Sequence, residues 1–300
     1  MKLVKRLILM NKRILIVGAN GMLGSSLLRY FTQYSRYDVL GTVRSNSAKA
    51  KLSKQGFDNI ISQVDVLEYE TIENVISDWK PDFLFNCVGI IKQLDAAKNN
   101  ILSLSINSLL PHQLAKTCTR NETKLIHFST DCVFSGKQGN YCEESFPDAY
   151  DLYGKSKQLG EVVYDGHLTL RTSIIGHEIS SQHSLIDWFL SQKKYIYGYS
   201  KAIFSGMPTV YVAEIIHDYI LPNPNCCGLR HLSVDPIDKF SLLKLVKKQY
   251  SHNIEIIESS DLEIDRSLDS FLLRQEVGFY PASWPKLIEK MNDEYNKFFR

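Results

Sequence analysis

The chain has 300 residues, 44% hydrophobic and 23% charged, a composition able to build one large core or two unequal ones. A formal net charge of +2 offers no broad basic field for a phosphate backbone, which argues against nucleic acid as a partner. No apolar run has the length of a membrane-crossing helix, so no membrane partner is expected.

Six cysteines, Cys87, Cys118, Cys132, Cys142, Cys226 and Cys227, lack CxxC spacing and read as reduced thiols of a cytoplasmic protein. The opening MKLVKRLILM has the basic and apolar character of a secretion signal, but its apolar run is short. No small-residue cleavage site follows before Asn11, Lys12 and Arg13. Residues 1–10 are therefore expected to be a disordered extension. No group of side chains has metal-ligand spacing.

From residue 11 onward, short β-branched or aliphatic runs alternate with longer helical patterns. Strands are predicted over residues 13–17, 39–43, 60–66, 83–87, 124–129 and 168–172, with helices over 22–33, 69–79, 103–120 and 153–164. That alternation predicts the α/β class, a Rossmann-type doubly wound parallel sheet. After Arg171 the rhythm breaks. Helices are expected over 184–191, 210–220, 239–249 and from Pro285 onward, a strand over 254–257, and a turn at LPNPNCCG. The expected division is a nucleotide-binding domain over residues 11–172 and a smaller substrate-binding lobe over 173–300, some segments of which can return to the main sheet.

The run ILIVGANGMLG places Gly18, Gly21 and Gly24 between an apolar strand and an amphipathic helix, with Asn20, Met22 and Leu23 among them. Glycines there permit a tight turn and let amide groups at a helix start approach a diphosphate, whose charge the helix dipole favours. At the end of the second strand, where an NAD site carries a carboxylate for the ribose 2′-hydroxyl, this chain has Arg44 and Ser45. A guanidinium beside a hydroxyl suits a 2′-phosphate, so NADP(H) is the expected cofactor. The alternative for Arg44 is a solvated charge. Asp65, after the third strand, suits an adenine amino group or simply caps a turn.

The main chemical signal is Tyr153 and Lys157, a YxxxK element on a predicted helix. Residues four apart share a helix face, so the phenol and the ammonium reach one site together, and the cation stabilises phenolate. Upstream, Ser129, Thr130 and Asp131 end a predicted parallel strand, where ligands bind in open α/β sheets. A hydroxyl, a phenol and an ammonium so placed predict a hydride-transfer site.

The motifs GANGMLG, FSTDCVFSG, YGKSKQLGE and LRTSIIG, in this order, resemble the dTDP-4-dehydrorhamnose reductase family of extended short-chain dehydrogenases, and IDRSLDS and PASWPKLIEKM resemble its closing elements. The resemblance implies NADPH-dependent reduction of the C4 keto group of a nucleotide-linked 4-keto-6-deoxyhexose, in deoxysugar synthesis for surface polysaccharide or glycan. It implies that Tyr153 protonates the C4 oxygen, that Lys157 holds the nicotinamide ribose and tunes Tyr153, and that Thr130 hydrogen-bonds the substrate carbonyl. It further implies that Asn86 and Val88 line the cofactor, that Asn107 supports the site, and that Asp65 and Val66 touch adenine.

Cys132 stands where the family usually has an aromatic hydroxyl, Ile174 where it has an aromatic residue, and FNCVGIIKQ where it has an alanine-rich segment, so the sugar end is altered. Asp131, Cys132, Arg171, Phe204, Ser205 and Met207 are the substrate-side candidates. For Arg171 a structural ion pair is the alternative, and for Cys132 an apolar lining role outweighs that of nucleophile. His127 is expected in the core. His177 and His183 are candidates for a diphosphate contact, against simple loop solvation. A homodimer is compatible with the sequence. Two other readings remain: an epimerase or dehydratase with tightly bound NAD, and a non-catalytic NADP-binding regulatory subunit.

Overall fold

The structure, a computed structural model, describes residues 11–34, 36–92, 98–179 and 184–300. The expected N-terminal extension and His183 lie outside these residues. Strand β1 (Lys12–Val17) is flanked by β2 (Tyr37–Thr42) on one side and β4 (Phe83–Asn86) on the other, all parallel. Beyond β2 lies β3 (Ile60–Ile61). Beyond β4 lie β5 (Lys124–Thr130), β6 (Leu168–Thr172) and finally the strand Gly228–His231, completing a seven-stranded sheet.

Side chains alternate across a strand, and β1 shows why its sequence is apolar at successive positions. Ile14 and Ile16 enter one core with Leu27, Leu28 and Phe31 of α1 (Met22–Phe31), while Leu15 and Val17 enter another. That second core holds Ile72 and Ile76 of α3 (Tyr69–Trp79) and Leu114 of α5 (Leu110–Arg120). The first core continues without a break into Ile215 and Leu287 of the C-terminal half. A buried ion pair reinforces this join: Glu294 accepts from Ser26 Oγ at 2.8 Å and from Arg29 Nε at 2.9 Å.

Several predicted elements change length for identifiable reasons. The strand expected over 60–66 ends at Ile61, because Gln63 takes a left-handed backbone with φ of 64°. An unexpected helix, α2 (Asn46–Ser53), follows β2. Ser45 caps it by accepting from Ala48 N at 3.2 Å, but Leu52 is its one buried residue, so no apolar stripe betrays it.

The helix expected over 103–120 is three pieces: α4 (Asn100–Ser103), a π-helical stretch Leu104–Leu109, and α5. Pro111 has no amide hydrogen to donate to the carbonyl of Asn107, which interrupts the α-helical ladder there. Helix α6 (Leu152–Leu159) stops at Gly160, short of the expected Tyr164. A Cβ on Gly160 would lie 2.0 Å from that same Asn107 carbonyl oxygen.

The strand Gly228–His231 lacked an expectation and pairs in parallel with β6. The C-terminal helices are Leu185–Ser191, Thr209–Ile215 with a π-helical end at Ile216–Ile220, Lys239–Gln249, Phe271–Val277 and Trp284–Phe298. Glu255–Ser259 pairs with Tyr195–Tyr199, and Ala202–Phe204 lies between Ile237–Asp238 and Ile264–Asp265.

Candidate active site

The sheet order reverses between β1 and β4, and the crevice at their C-terminal ends is where a doubly wound sheet accepts a ligand. A cavity of about 500 Å³ opens there, running from Met22 and Leu23 past Asn86 and Val88. Its lining also includes Thr130, Tyr153 and Lys157, together with Cys132, Phe204 and Lys239.

At its first end two of the three glycines are sterically required. Gly18 has φ of +83°, and a Cβ there would lie 2.8 Å from Val88 Cγ2. A Cβ on Gly24 would lie 2.2 Å from the Gly18 carbonyl oxygen. At Gly21 the nearest atom would be 3.5 Å away, an ordinary contact, so a side chain there meets no clash. Gly21 also caps α1, with no side chain covering the amide groups at the helix start. Asn20 is half-buried in the turn. This cradle fits a dinucleotide diphosphate.

Arg44 is exposed past the end of β2, beside Ser45, whose hydroxyl caps α2 and lies 3.0 Å from that of Ser47. Asp65 does the turn-capping job, its Oδ1 accepting from Leu67 N at 3.0 Å, with Val66 half-buried next to it.

At the reacting end, Asp151 caps α6 by accepting from Gly154 N at 2.9 Å and also takes Lys92 Nζ at 2.7 Å. A Cβ on Gly154 would lie 2.3 Å from the Cys132 carbonyl oxygen, so this glycine lets the first turn of α6 rest on the chain leaving β5. That contact brings Tyr153 beside Thr130. Burial raises the Tyr153 phenol above its ordinary range, with the Thr130 hydroxyl pulling the other way. One turn on, Lys157 Nζ donates to the Phe128 carbonyl at 2.6 Å; burial lowers the ammonium to about 8, and Glu161 opposes the shift.

Thr130 is held in turn, its Oγ1 donating to Asp131 at 3.2 Å and accepting from Cys132 N at 3.1 Å. Burial raises the Asp131 carboxyl, against the charges of Arg266 and Lys239. Asn107, in the π-helical stretch, clasps both backbone groups of Ile90 and donates to Ser156 Oγ at 3.1 Å. Asn86 Oδ1 accepts from Val88 N at 3.2 Å, while its Nδ2 lies 3.1 Å from the buried His127. Burial drives His127 well below the imidazole range, so it is neutral.

Three substrate-side expectations are corrected. Arg171 is 3% exposed and grips Glu161 through Nε at 2.7 Å and Nη2 at 2.8 Å; it is a structural ion pair outside the cavity lining. Ser205 is buried with its hydroxyl accepting from Leu268 N at 2.8 Å, and Met207 is fully buried in the first core, so neither reaches the cavity. His177 is likewise buried, between Asp187 at 2.5 Å and the Tyr250 hydroxyl at 2.8 Å, rather than facing a diphosphate. Asp131, Cys132, Ile174 and Phe204 do line the cavity. Lys92 and Lys239 line it too, though sequence reasoning passed over both, since neither belongs to a motif of catalytic spacing.

Residues 12–186 match the family model described as RmlD substrate binding domain. The chain belongs to this family. Its member status agrees with a full-length relative: the chain is 23% identical to dTDP-4-dehydrorhamnose reductase of Aggregatibacter actinomycetemcomitans, over 93% of this chain and 98% of that protein. Other curated relatives match over about half of this chain and less than half of their own length. One is methionine adenosyltransferase 2 subunit beta of Mus musculus, 31% identical over 157 residues, 50% of this chain and 42% of that protein. Among solved structures, dTDP-4-dehydrorhamnose reductase from Bacillus anthracis in complex with NADP has a TM-score of 0.79 at 20% identity. It covers 95% of this chain and 100% of that one, a likeness of fold.

Proposed function

We propose that this RmlD-family chain is an NADPH-dependent reductase of the C4 keto group of a nucleoside-diphosphate-linked 4-keto-6-deoxyhexose. The observation that carries the reading is the convergence of Thr130, Tyr153 and Lys157 on one cavity with the glycine turn. Gly18 to Gly24 hold the diphosphate of the cofactor, Arg44 and Ser45 its 2′-phosphate, Asp65 and Val66 its adenine, and Asn86, Val88 and Lys157 its nicotinamide end. When bound, NADPH supplies the hydride that C4 receives.

The protein's own part is proton delivery and positioning. Thr130 turns its hydroxyl from Asp131 to hold the keto oxygen, and Tyr153 gives that oxygen its proton. The upward shift of the buried phenol suits a donor, which must still carry its proton at neutral pH. Lys157, within reach of the same space, offsets the charge left on the phenolate. Asp131, Cys132, Ile174 and Phe204 shape the sugar pocket. In this reading residues 11–172 carry mainly the cofactor and 173–300 mainly the sugar, and the reaction serves deoxysugar synthesis for surface polysaccharide or glycan in the cytoplasm.

The test is NADPH oxidation by purified protein with dTDP-, UDP- and GDP-linked 4-keto-6-deoxy sugars. Tyr153→Phe is expected to lower kcat about 10²–10⁴-fold while NADPH still binds. Full activity in that variant, or no turnover with any member of the panel, would overturn the proposal. The half-length match to a subunit of another enzyme favours one other reading, a non-catalytic NADP-binding subunit. Cofactor binding without any turnover would support it.

A further inference from the structure

The reaction described leaves one cation of the cavity wall without a task. Lys239 is the first residue of the helix Lys239–Gln249, directly after Asp238, which caps the helix by accepting from Ser241 N at 2.8 Å. Its Nζ lies 3.6 Å from the centroid of the Phe204 ring. Among the described residues no hydrogen bond or ion pair satisfies this ammonium. Its neighbours at this end are already engaged: Lys92 is paired with Asp151, while Arg266 donates to the Phe134 carbonyl at 2.9 Å and approaches Cys132 Sγ at 3.7 Å.

Two effects make that position costly for a cation. Burial lowers the ammonium to about 8, against the opposing charge of Asp131, and the positive end of a helix dipole repels it. The ring face of Phe204 compensates only in part. An anionic oxygen entering the cavity would offset both. The glycine turn already offers a cradle for the cofactor's diphosphate, which leaves the substrate as the source of such an anion.

We propose that Lys239 is a specificity-determining residue, reading an anionic oxygen group of the substrate in the part of the cavity lined by Phe204, Asp131 and Cys132. This rests on the reductase reading for the identity of the substrate. Two sources share the chemistry: the diphosphate link of the nucleotide-sugar, and a carboxylate carried by the sugar itself.

Calorimetry on the full chain, with NADPH present, distinguishes them using dTDP, UDP and GDP as diphosphate probes and free hexuronates as carboxylate probes. Lys239→Met is expected to weaken one class about 10-fold or more, the scale of a lost charge-assisted hydrogen bond, and Lys239→Arg to restore most of it. The affected class names the source. NADPH affinity, measured separately, reports whether each variant is folded.

A pH arm tests the same group without truncating it. Around Lys239 stand Asp131, Cys132, Arg266 and the capping Asp238. Wild-type affinity for the recognised anion should fall as pH rises through about 8 and the ammonium loses its proton, whereas Lys239→Arg should keep its affinity there. Unchanged affinity for both classes in Lys239→Met, with NADPH binding intact, would overturn the proposal; should that variant not fold, identical pH curves for wild type and Lys239→Arg would do so. Because these measurements need no turnover, failure of the reductase reading would show separately, as absent NADPH oxidation.

Discussion

Replacing Arg171 by Met separates a framework role from a substrate role for this guanidinium. Arg171 and Glu161 have side-chain exposures of only 3% and 8%. Two parallel hydrogen bonds join them, and Ser129 Oγ donates to the same carboxylate at 2.7 Å. Methionine would fill much of the space of the arginine stem but leave a buried carboxylate with one hydroxyl donor. Breaking such a pair from one side costs about 3–5 kcal/mol, a large share of the roughly 5–15 kcal/mol that holds a domain folded. Removing both charges in Glu161→Gln/Arg171→Met avoids the unpaired ion and should return stability to within about 2 kcal/mol of wild type. Urea unfolding followed by tryptophan fluorescence, read as a midpoint shift at constant slope, measures both variants. A single Arg171→Met variant that keeps its midpoint but raises KM for the nucleotide-sugar would refute the reasoning and return Arg171 to the substrate site.

Gly24→Ala would put a methyl group 2.2 Å from a backbone oxygen that cannot swing aside, so NADPH affinity, measured by fluorescence titration, should fall about 10-fold or more as the turn opens. Lys157 provides a pH test on the cofactor-free protein. Its folded value of about 8 lies below the ordinary lysine value of 10.5, so between these pH values the unfolded chain binds more protons and the contribution of this group to stability rises with pH. Wild type should therefore gain stability relative to Lys157→Met from pH 8 to 10; a constant difference would show that Lys157 is not desolvated. For Cys132, burial raises the thiol to about 11, leaving about one thiolate in 3,000 at pH 7.5. Iodoacetamide should label it far more slowly than an ordinary exposed cysteine, and Cys132→Ala should retain turnover; rapid labelling with loss of turnover would revive a nucleophilic role.

What the sequence made legible was whatever local chemistry encodes. Strand β1 and the glycine turn are visible because alternation into two cores and three glycines at one strand end each leave a local pattern. Tyr153 and Lys157 are visible because a helix turn brings residues four apart together. The misassigned residues depend on distant partners. Arg171 lies at the end of a strand beside the site, and only the packing of Glu161 against it shows that its side chain turns away from the cavity. Lys239 looks like any lysine opening a surface helix until Phe204, Asp131 and Cys132 close around it. The strand Gly228–His231 is equally silent, since its place at the sheet edge comes from pairing with β6 some 60 residues earlier, as His231 opposite Arg171 shows.

The position of Tyr153, the proposed proton donor, is itself a tertiary product. Helix α6 has only eight residues, too few to persist alone. Lys92 holds its cap through Asp151, and the Cys132 carbonyl receives Gly154. Asn107 and Ser108 bind the side chain and carbonyl of Ser156, and the Phe128 carbonyl takes Lys157. Just past the helix, Arg171 and Ser129 fasten Glu161. These anchors come from both flanking strands and from the π-helical stretch, so a displacement of Tyr153 must break several bonds at once. Such restraint suits a group that has to meet a keto oxygen within a fraction of an ångström. The proposed sugar side differs: among the described residues, Lys239 is met there by a ring face and no hydrogen-bond acceptor. The proton delivery proposed for Tyr153 is therefore held more rigidly than the anion recognition proposed for Lys239.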